Sequence, residues 1–301
     1  MDKSIIRYSE IFRSFQGEGE YTGITSAWLR YFKCNLQCSG FGQKDPTDPA
    51  TYELPYKEFD ATSVTRMEDL PVWKNGCDSS YSWAKKFEHL THTGDAEAVA
   101  HQLMKTLTTE SNPDGMFMHP TTGQHTHLCL TGGEPMLRKH QADTLNIVEA
   151  LKDFNNGPRF ITIETNGTQV LTEDFQRYFG QPGAYEGELF FSISPKLFTV
   201  SGEANQKAIK PSNVAEYNRL SNRGQLKFVI GNEDRQWEEL LEVISQFRAA
   251  GVTYPVWLMP VGAREEEQHN IAAIVSDRAM DHGFYVAARV HTYVYGNKIG
   301  T

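Results

Sequence analysis

Seven apolar runs of strand length are spread along the chain, with segments of helical spacing between most of them, and no other feature constrains the fold as strongly. The runs cover residues 27–32, 127–131, 160–164, 189–193, 226–230, 255–259 and 284–290. Between them, Val99, Leu103 and Leu107 follow Asp95, then come Leu145, Val148 and Leu151, then Leu240, Val243, Ile244 and Phe247. Strands that alternate with helices imply a parallel sheet covered by helices, built as an open doubly wound sheet or as a full or partial barrel. In both architectures the chemistry sits at the carboxyl ends of the strands. Cys34, Thr131-Gly132-Gly133-Glu134, Glu164-Thr165-Asn166-Gly167 and Ser194-Pro195-Lys196 each fall at or just after such an end. Polar groups from distant stretches of sequence are therefore expected on one rim.

A chain of 301 residues with 39% hydrophobic and 22% charged side chains has enough apolar material for a substantial core, in one large domain or two ordinary ones. No stretch approaches the roughly 18 to 20 consecutive apolar residues of a membrane helix. The segment Met1 to Arg7 lacks the apolar core and cleavage site of a secretory signal, which makes the cytoplasm the expected location. In that reducing compartment, four cysteines are read as core thiols, metal ligands or nucleophiles rather than disulfides. A net charge of −9 repels phosphate backbones and favours a small substrate over stable nucleic-acid binding. Residues 39–76, with Pro46, Pro49, Pro55 and Pro71 and no sustained period, read as an inserted excursion over the surface.

Cys34 and Cys38 stand four positions apart directly after a strand, and Cys77 opens the segment Cys77-Asp78-Ser79-Ser80-Tyr81-Ser82-Trp83. Three thiolates without a fourth nearby suit a 4Fe-4S cluster that leaves one iron open to an external ligand. On spacing alone, a structural zinc site and three unrelated core cysteines remain alternatives. The two glycines of Thr131-Gly132-Gly133-Glu134-Pro135 let backbone approach a ligand closely, and Glu134 offers a carboxylate to a cationic amino group. Cys129 lies within a strand and reads as a packed core thiol. His119, His125 and His127 read as solvated loop histidines, Glu18 has the alternative reading of a solvated turn acid, and Arg264-Glu265-Glu266-Glu267 reads as a helix N-terminus.

Several of these segments occur together in one known family. Phe15-Gln16-Gly17-Glu18-Gly19 with Gly23, Ala27-Trp28-Leu29-Arg30, the three cysteines with the tail ending at Trp83, Gly132-Gly133-Glu134-Pro135, Glu164-Thr165-Asn166-Gly167 and Ser194-Pro195-Lys196 resemble the 7-carboxy-7-deazaguanine synthases of the radical S-adenosylmethionine (SAM) superfamily. The family pattern is C-x3-C-x2-C. Here Phe41 occupies the third cysteine's place, and the cysteine with its tail returns only at Cys77, as if 36 residues had been added. Matched segments cover about residues 11–38 and 77–196; Trp257-Leu258-Met259-Pro260 and Val290-His291-Thr292 resemble the family weakly.

The resemblance implies a partial (β/α)6 TIM-like barrel of the radical SAM type, as a single domain over residues 1–301 with the excursion at about 39–76. It also implies a 4Fe-4S cluster on Cys34, Cys38 and Cys77, with Ser79 as an oxygen ligand to Mg2+; the alternative for Ser79 is a helix-capping hydroxyl. Gly132, Gly133, Glu134, Thr165, Asn166, Ser194 and Lys196 correspond to residues around SAM, and Gln16, Glu18, Arg30 and Thr131 to residues around the substrate. The implied reaction contracts 6-carboxy-5,6,7,8-tetrahydropterin to 7-carboxy-7-deazaguanine with loss of ammonia, as a step toward queuosine-type 7-deazapurines. Electrons come from a reductase such as flavodoxin, and homodimers are typical. The competing readings are another radical SAM enzyme, such as a glycyl-radical activating enzyme, and a non-catalytic zinc-binding module.

Overall fold

The apolar runs form strands β2 (Thr25–Tyr31), β4 (His127–Gly132), β5 (Phe160–Thr165), β6 (Glu188–Ile193), β7 (Gly224–Ile230) and β8 (Val256–Pro260) in the computed structural model, which describes residues 4–300. With β1 (Ile6–Phe15), β3 (His92–Gly94) and β9 (Tyr285–Val286) they make one nine-stranded sheet in the order β3-β1-β2-β4-β5-β6-β7-β8-β9. The strands from β2 through β9 in that order are parallel; β1 pairs antiparallel with β2, and β3 antiparallel with β1. The helices Ala96–Leu107, Arg138–Asp153, Glu173–Gly180, Pro211–Leu220, Asp234–Ala249 and Glu265–Asp281 each precede the next parallel strand, giving six strand-helix units. This is the α/β partial (β/α)6 barrel expected of a radical SAM fold.

Local chemistry explains the element ends. The Asp95 carboxylate accepts the Ala98 N–H at 2.9 Å, and Thr172 accepts that of Phe175 at 3.3 Å, satisfying amides that have no partner inside their helices. Val99, Ala100, Leu103 and Leu107 then form the buried face of the first of these helices. The acidic run 265–267 does open a helix, with the Glu267 side chain accepting the Arg264 N–H at 3.1 Å. Strands β4, β6 and β7 are buried at nearly every position, as a sheet covered on both faces requires. Leu29, Leu130, Ile163, Phe191, Phe228 and Leu258 carry one continuous core across the sheet.

Two departures from the sequence expectation concern the edges. The antiparallel strands β1 and β3 extend the sheet beyond the expected set. The strand expected over 284–290 ends at Val286, because Arg289 turns inward to the Glu18 carboxylate at 3.1 Å and the chain continues as the helix Val290–Tyr295.

Residues 39–76 carry short helical turns at Pro49–Thr51, Pro55–Glu58, Ala61–Ser63 and Met67–Asp69. Tyr56, Ala61, Met67, Leu70 and Trp73 pack with Tyr81, Ala84, Phe87 and Leu90 into a small core separate from the barrel's. The ends of the segment meet where the Gly76 N–H donates to the Phe41 carbonyl at 2.8 Å. Gln43 folds the start of the segment on itself, donating to the carbonyls of Ser39 (3.1 Å) and Glu53 (2.7 Å) and accepting the Glu53 N–H at 3.0 Å. Closure entropy rises slowly with loop length, so a few such ties hold a long excursion shut.

The two cores give different expectations for two large-to-small substitutions. Phe228→Ala should cost about 3–5 kcal/mol in urea unfolding of the whole chain. Trp73→Ala should mainly speed proteolytic cleavage within 39–76, with a smaller shift of the barrel's urea midpoint.

Candidate active site

The carboxyl ends of the central strands surround a cleft of about 260 Å³. Its first wall is the cysteine loop. After β2 the chain passes Lys33 in the left-handed region (φ 107°) to Cys34, and Cys38 is also left-handed (φ 52°). The Thr131-Gly132-Gly133 turn presses against this loop: a Cβ on Gly133 would stand 2.0 Å from the Lys33 carbonyl oxygen and 2.9 Å from the Cys34 nitrogen. Glycine is the residue that allows the two strand ends to approach this closely. Just beyond it, the Glu134 N–H donates to the Lys33 carbonyl at 2.8 Å.

Cys34, Cys38 and Cys77 all line the cleft and pack about Leu36, Phe41 and Ala208. The closure at Phe41 and Gly76 brings Cys77 beside Phe41, the residue that stands where the sequence pattern has its third cysteine. Burial pushes the Cys34 thiol up to about 12 and the Cys77 thiol up to about 11, and it holds Cys38 well above the ordinary thiol range; neighbouring thiols and acids add to the effect. A coordinating iron would remove these protons, since a bound thiol ionises outright. Among the described residues, no three His, Cys, Asp or Glu side chains are gathered closely enough to share one metal ion. Three half-buried or buried sulfurs around a common cleft instead fit a cluster in which each thiolate takes a different iron.

Beside the thiols, Gly132 (φ 124°), Gly133, Thr165, Asn166, Ser194 and Lys196 line the next stretch of wall. The Asn166 amide donates to the Asn35 side-chain oxygen at 3.0 Å and stands 4.0 Å from the Cys34 sulfur. Lys196 donates to Ser194 at 2.8 Å, and its ammonium lies 5.7 Å from the centre of the Phe41 ring. Glu134 is placed differently from its motif neighbours. It is fully buried behind the wall, and its carboxylate accepts from the Met136 N–H (2.8 Å), the Thr165 hydroxyl (2.6 Å) and the Asn166 N–H (2.9 Å). Within this structure it braces the Thr165-Asn166 turn.

The remaining wall is highly charged. Gln16, Glu18, Arg30 and Thr131 are there, joined by Glu164, Lys227, Arg289 and Asp78. Lys227 is bonded to Glu18 and lies 3.9 Å from Glu164; Arg289 donates to Glu18 at 3.1 Å and to Asp78 at 3.3 Å. Burial raises the Glu18 pKa, but Lys227, Arg289 and His291 outweigh it and hold the carboxyl well below its usual range. Glu18 is thus an ion-paired wall residue, which corrects the solvated-turn reading. Gln16 donates to Glu164 at 3.2 Å and Thr131 does so at 3.0 Å. Arg30 bonds Glu10 through Nε at 2.6 Å and lies near the Phe12 and Tyr81 rings. Ser79 donates to its neighbour Asp78 at 2.9 Å and makes no capping bond to the following turn.

Lys227 and Arg289 belong to no motif in the sequence. A lysine in the middle of the apolar run Leu226–Ile230 was nevertheless a usable signal, because a buried charge persists only when it is paired. Cys129 is buried in β4, outside the cleft lining. His127 is not solvated: it is buried on β4, stacked on Phe160 with ring centres 4.7 Å apart, and burial lowers its pKa to about 4. His119 and His125 are half-buried.

No protein-family model matches the chain. It is similar to 7-carboxy-7-deazaguanine synthases of Rhodopirellula baltica (25% identical, 99% of this chain and 90% of the relative) and Pyrobaculum aerophilum (24% identical, 98% and 97%). The likeness therefore runs through the C-terminal third, where the sequence segments matched only weakly. Among solved structures, the crystal structure of QueE from Escherichia coli aligns over 95% of both chains with a TM-score of 0.51 at 16% identity. That likeness bears on the fold.

Cys77→Ala should abolish most iron uptake during anaerobic reconstitution, whereas Cys129→Ala should load iron as the wild type does. Colorimetric iron and sulfide assays, with the visible absorbance expected of a 4Fe-4S cluster, check this. Equal loading of both variants would contradict the assignment of Cys77.

Proposed function

We propose that this enzyme, homologous along nearly its whole length to the 7-carboxy-7-deazaguanine synthases, converts 6-carboxy-5,6,7,8-tetrahydropterin to 7-carboxy-7-deazaguanine with loss of ammonia. The observation that carries the reading is the convergence of three thiols from either side of a long insertion on a cleft at the carboxyl rim of a partial barrel. We assign Cys34, Cys38 and Cys77 to a 4Fe-4S cluster. Gly132, Gly133, Thr165, Asn166, Ser194 and Lys196 are assigned to SAM, with Glu134 bracing that wall. When bound, the cluster and SAM supply the carbon-centred radical that starts the reaction by abstracting hydrogen from the substrate.

The chain's own residues bind and orient. A pterin presents an edge of alternating donors and acceptors, which an ionised carboxylate such as Glu18 and an amide such as Gln16 can pair with. Lys227 and Arg289 keep Glu18 ionised and fix its position, so the acceptor is preorganised before substrate arrives. Arg30 is assigned to the substrate carboxylate. Among the described residues it hydrogen-bonds only through Nε, which leaves its other guanidinium nitrogens for that pairing. Phe12, Phe15, Trp28 and Met259 line the cleft and keep its polar contacts out of bulk water.

Ser79 is proposed as the Mg2+ contact, next to the Asp78 carboxylate. We assign the whole chain to one radical SAM domain in which 39–76 is the insertion, working as a homodimer fed by a reductase such as flavodoxin, and located in the cytoplasm. Among the described residues, no helix is long and apolar enough to cross a membrane. The acidic net charge fits a small-molecule substrate better than a nucleic acid.

Anaerobic incubation of the iron-loaded chain with SAM, a reductant and the carboxylated tetrahydropterin should yield the ring-contracted product and ammonium, detected by mass spectrometry. Arg30→Gln should raise KM for this substrate about tenfold or more, the worth of one charged hydrogen bond. It should affect a substrate analogue without the carboxylate far less. Turnover of a glycyl-radical partner protein, with no product from the pterin, would contradict the reading.

A further inference from the structure

We propose that Glu203 is a positioning residue for the cluster, fixing Cys38 by accepting two successive backbone N–H groups of the cysteine loop; this rests on the cluster reading above. The Gln37 and Cys38 N–H groups both donate to Glu203 Oε1, at 2.6 Å and 2.8 Å. Successive amides that converge on one oxygen form a small anion-binding concavity, and here the anion is supplied by the protein itself. The second oxygen, Oε2, accepts from Lys207 at 3.0 Å.

The turn that carries Glu203 grips the loop at a further point. The Gly40 N–H donates to the Ser201 carbonyl at 2.9 Å, and a Cβ on Gly40 would stand 2.6 Å from the Gly202 nitrogen. Gly202 is itself left-handed, with φ +72°. Loop residues 37, 38 and 40 are thus held by residues 201 and 203, far away in sequence. Cys38 needs the support because it is a non-glycine residue in the left-handed region, a conformation that persists only where surrounding contacts determine it. The same backbone orientation sets where the Cys38 sulfur points. Glu203 is buried and does not line the cleft, and its side-chain hydrogen bonds run to Gln37, Cys38 and Lys207, so its effect on the cluster runs through Cys38.

Four variants separate reach from charge. Glu203→Gln keeps an acceptor oxygen at the same reach, Glu203→Asp keeps the charge but withdraws it by one methylene, Glu203→Ala removes both, and Lys207→Ala removes only the ion pair. Each is loaded anaerobically with iron and sulfide, and release of iron to a chelator is followed by absorbance, alongside thermal melting of the apoproteins by circular dichroism. Loss of a group that orients a ligand typically weakens metal binding about 10- to 100-fold, so Glu203→Ala and Glu203→Asp should release iron about tenfold faster or more. Glu203→Gln and Lys207→Ala should release it like the wild type, and the apoproteins of Glu203→Asp and Glu203→Gln should melt together. Wild-type release rates in Glu203→Asp and Glu203→Ala, or loss in Glu203→Gln as fast as in Glu203→Ala, would overturn the proposal alone. A wild-type chain that takes up no iron would overturn the cluster reading and this proposal with it.

Discussion

The Gly76 N–H reaches back to the Phe41 carbonyl at 2.8 Å, and the geometry of the thiols depends on that closure. Together with the Lys33 N–H, which donates to the Ser82 carbonyl at 2.8 Å, it returns Cys77 from a long surface excursion to the side of Cys34 and Cys38. The small core of Tyr56, Met67, Leu70 and Trp73 gives the excursion internal order, and its packing on Tyr81, Phe87 and Leu90 ties it to the segment just after Cys77. The excursion is therefore anchored at both ends of the same cysteine loop, so its length adds little uncertainty to where the third sulfur lies.

A second constraint is electrostatic. Lys227, Glu18 and Arg289 are each nearly buried, and Glu18 offsets the burial of both cations. Removing Glu18 would leave, among the described residues, only Glu164 at 3.9 Å as an anionic partner for Lys227 and only Asp78 at 3.3 Å for Arg289, in a region that water reaches poorly, which explains why residues so distant in sequence meet there. The inward turn of Arg289 also ends the last strand early, so a buried ion pair shapes the edge of the sheet. The Val290 N–H then donates to the Gly17 carbonyl at 2.9 Å, which fastens the C-terminal segment over the Gln16-Gly17-Glu18 turn.

Much of this architecture is legible in the sequence because it is local. Period and run length reveal β2 and the strands from β4 to β8, and Asp95 and the acidic run at 265–267 mark helix starts by their own chemistry. Residues at strand ends, from Cys34 to Lys196, could be assigned to one rim because a parallel sheet puts those ends on the same side. Strand β1 escaped notice because a register shift between Tyr8 and Glu10 breaks its alternation. Arg289 and Glu203 escaped for a different reason. Their partners are Glu18 and the amides of Gln37 and Cys38, and no local pattern announces a contact across such separations. Glu134 shows a third kind of gap: the motif locates it correctly at the rim, while its three bonds to Met136, Thr165 and Asn166 turn it into the wall's interior.

The proposed cluster, held by three sulfurs with one iron left open, is a matter of electronic structure. Electron paramagnetic resonance of the reduced, iron-loaded wild type addresses it most directly, before and after addition of SAM. The expected result is a spin-one-half 4Fe-4S signal with about four iron atoms per chain, whose g values change when SAM binds the open iron. A chain that holds zinc without iron, or a cluster signal that SAM leaves unchanged, would contradict the account.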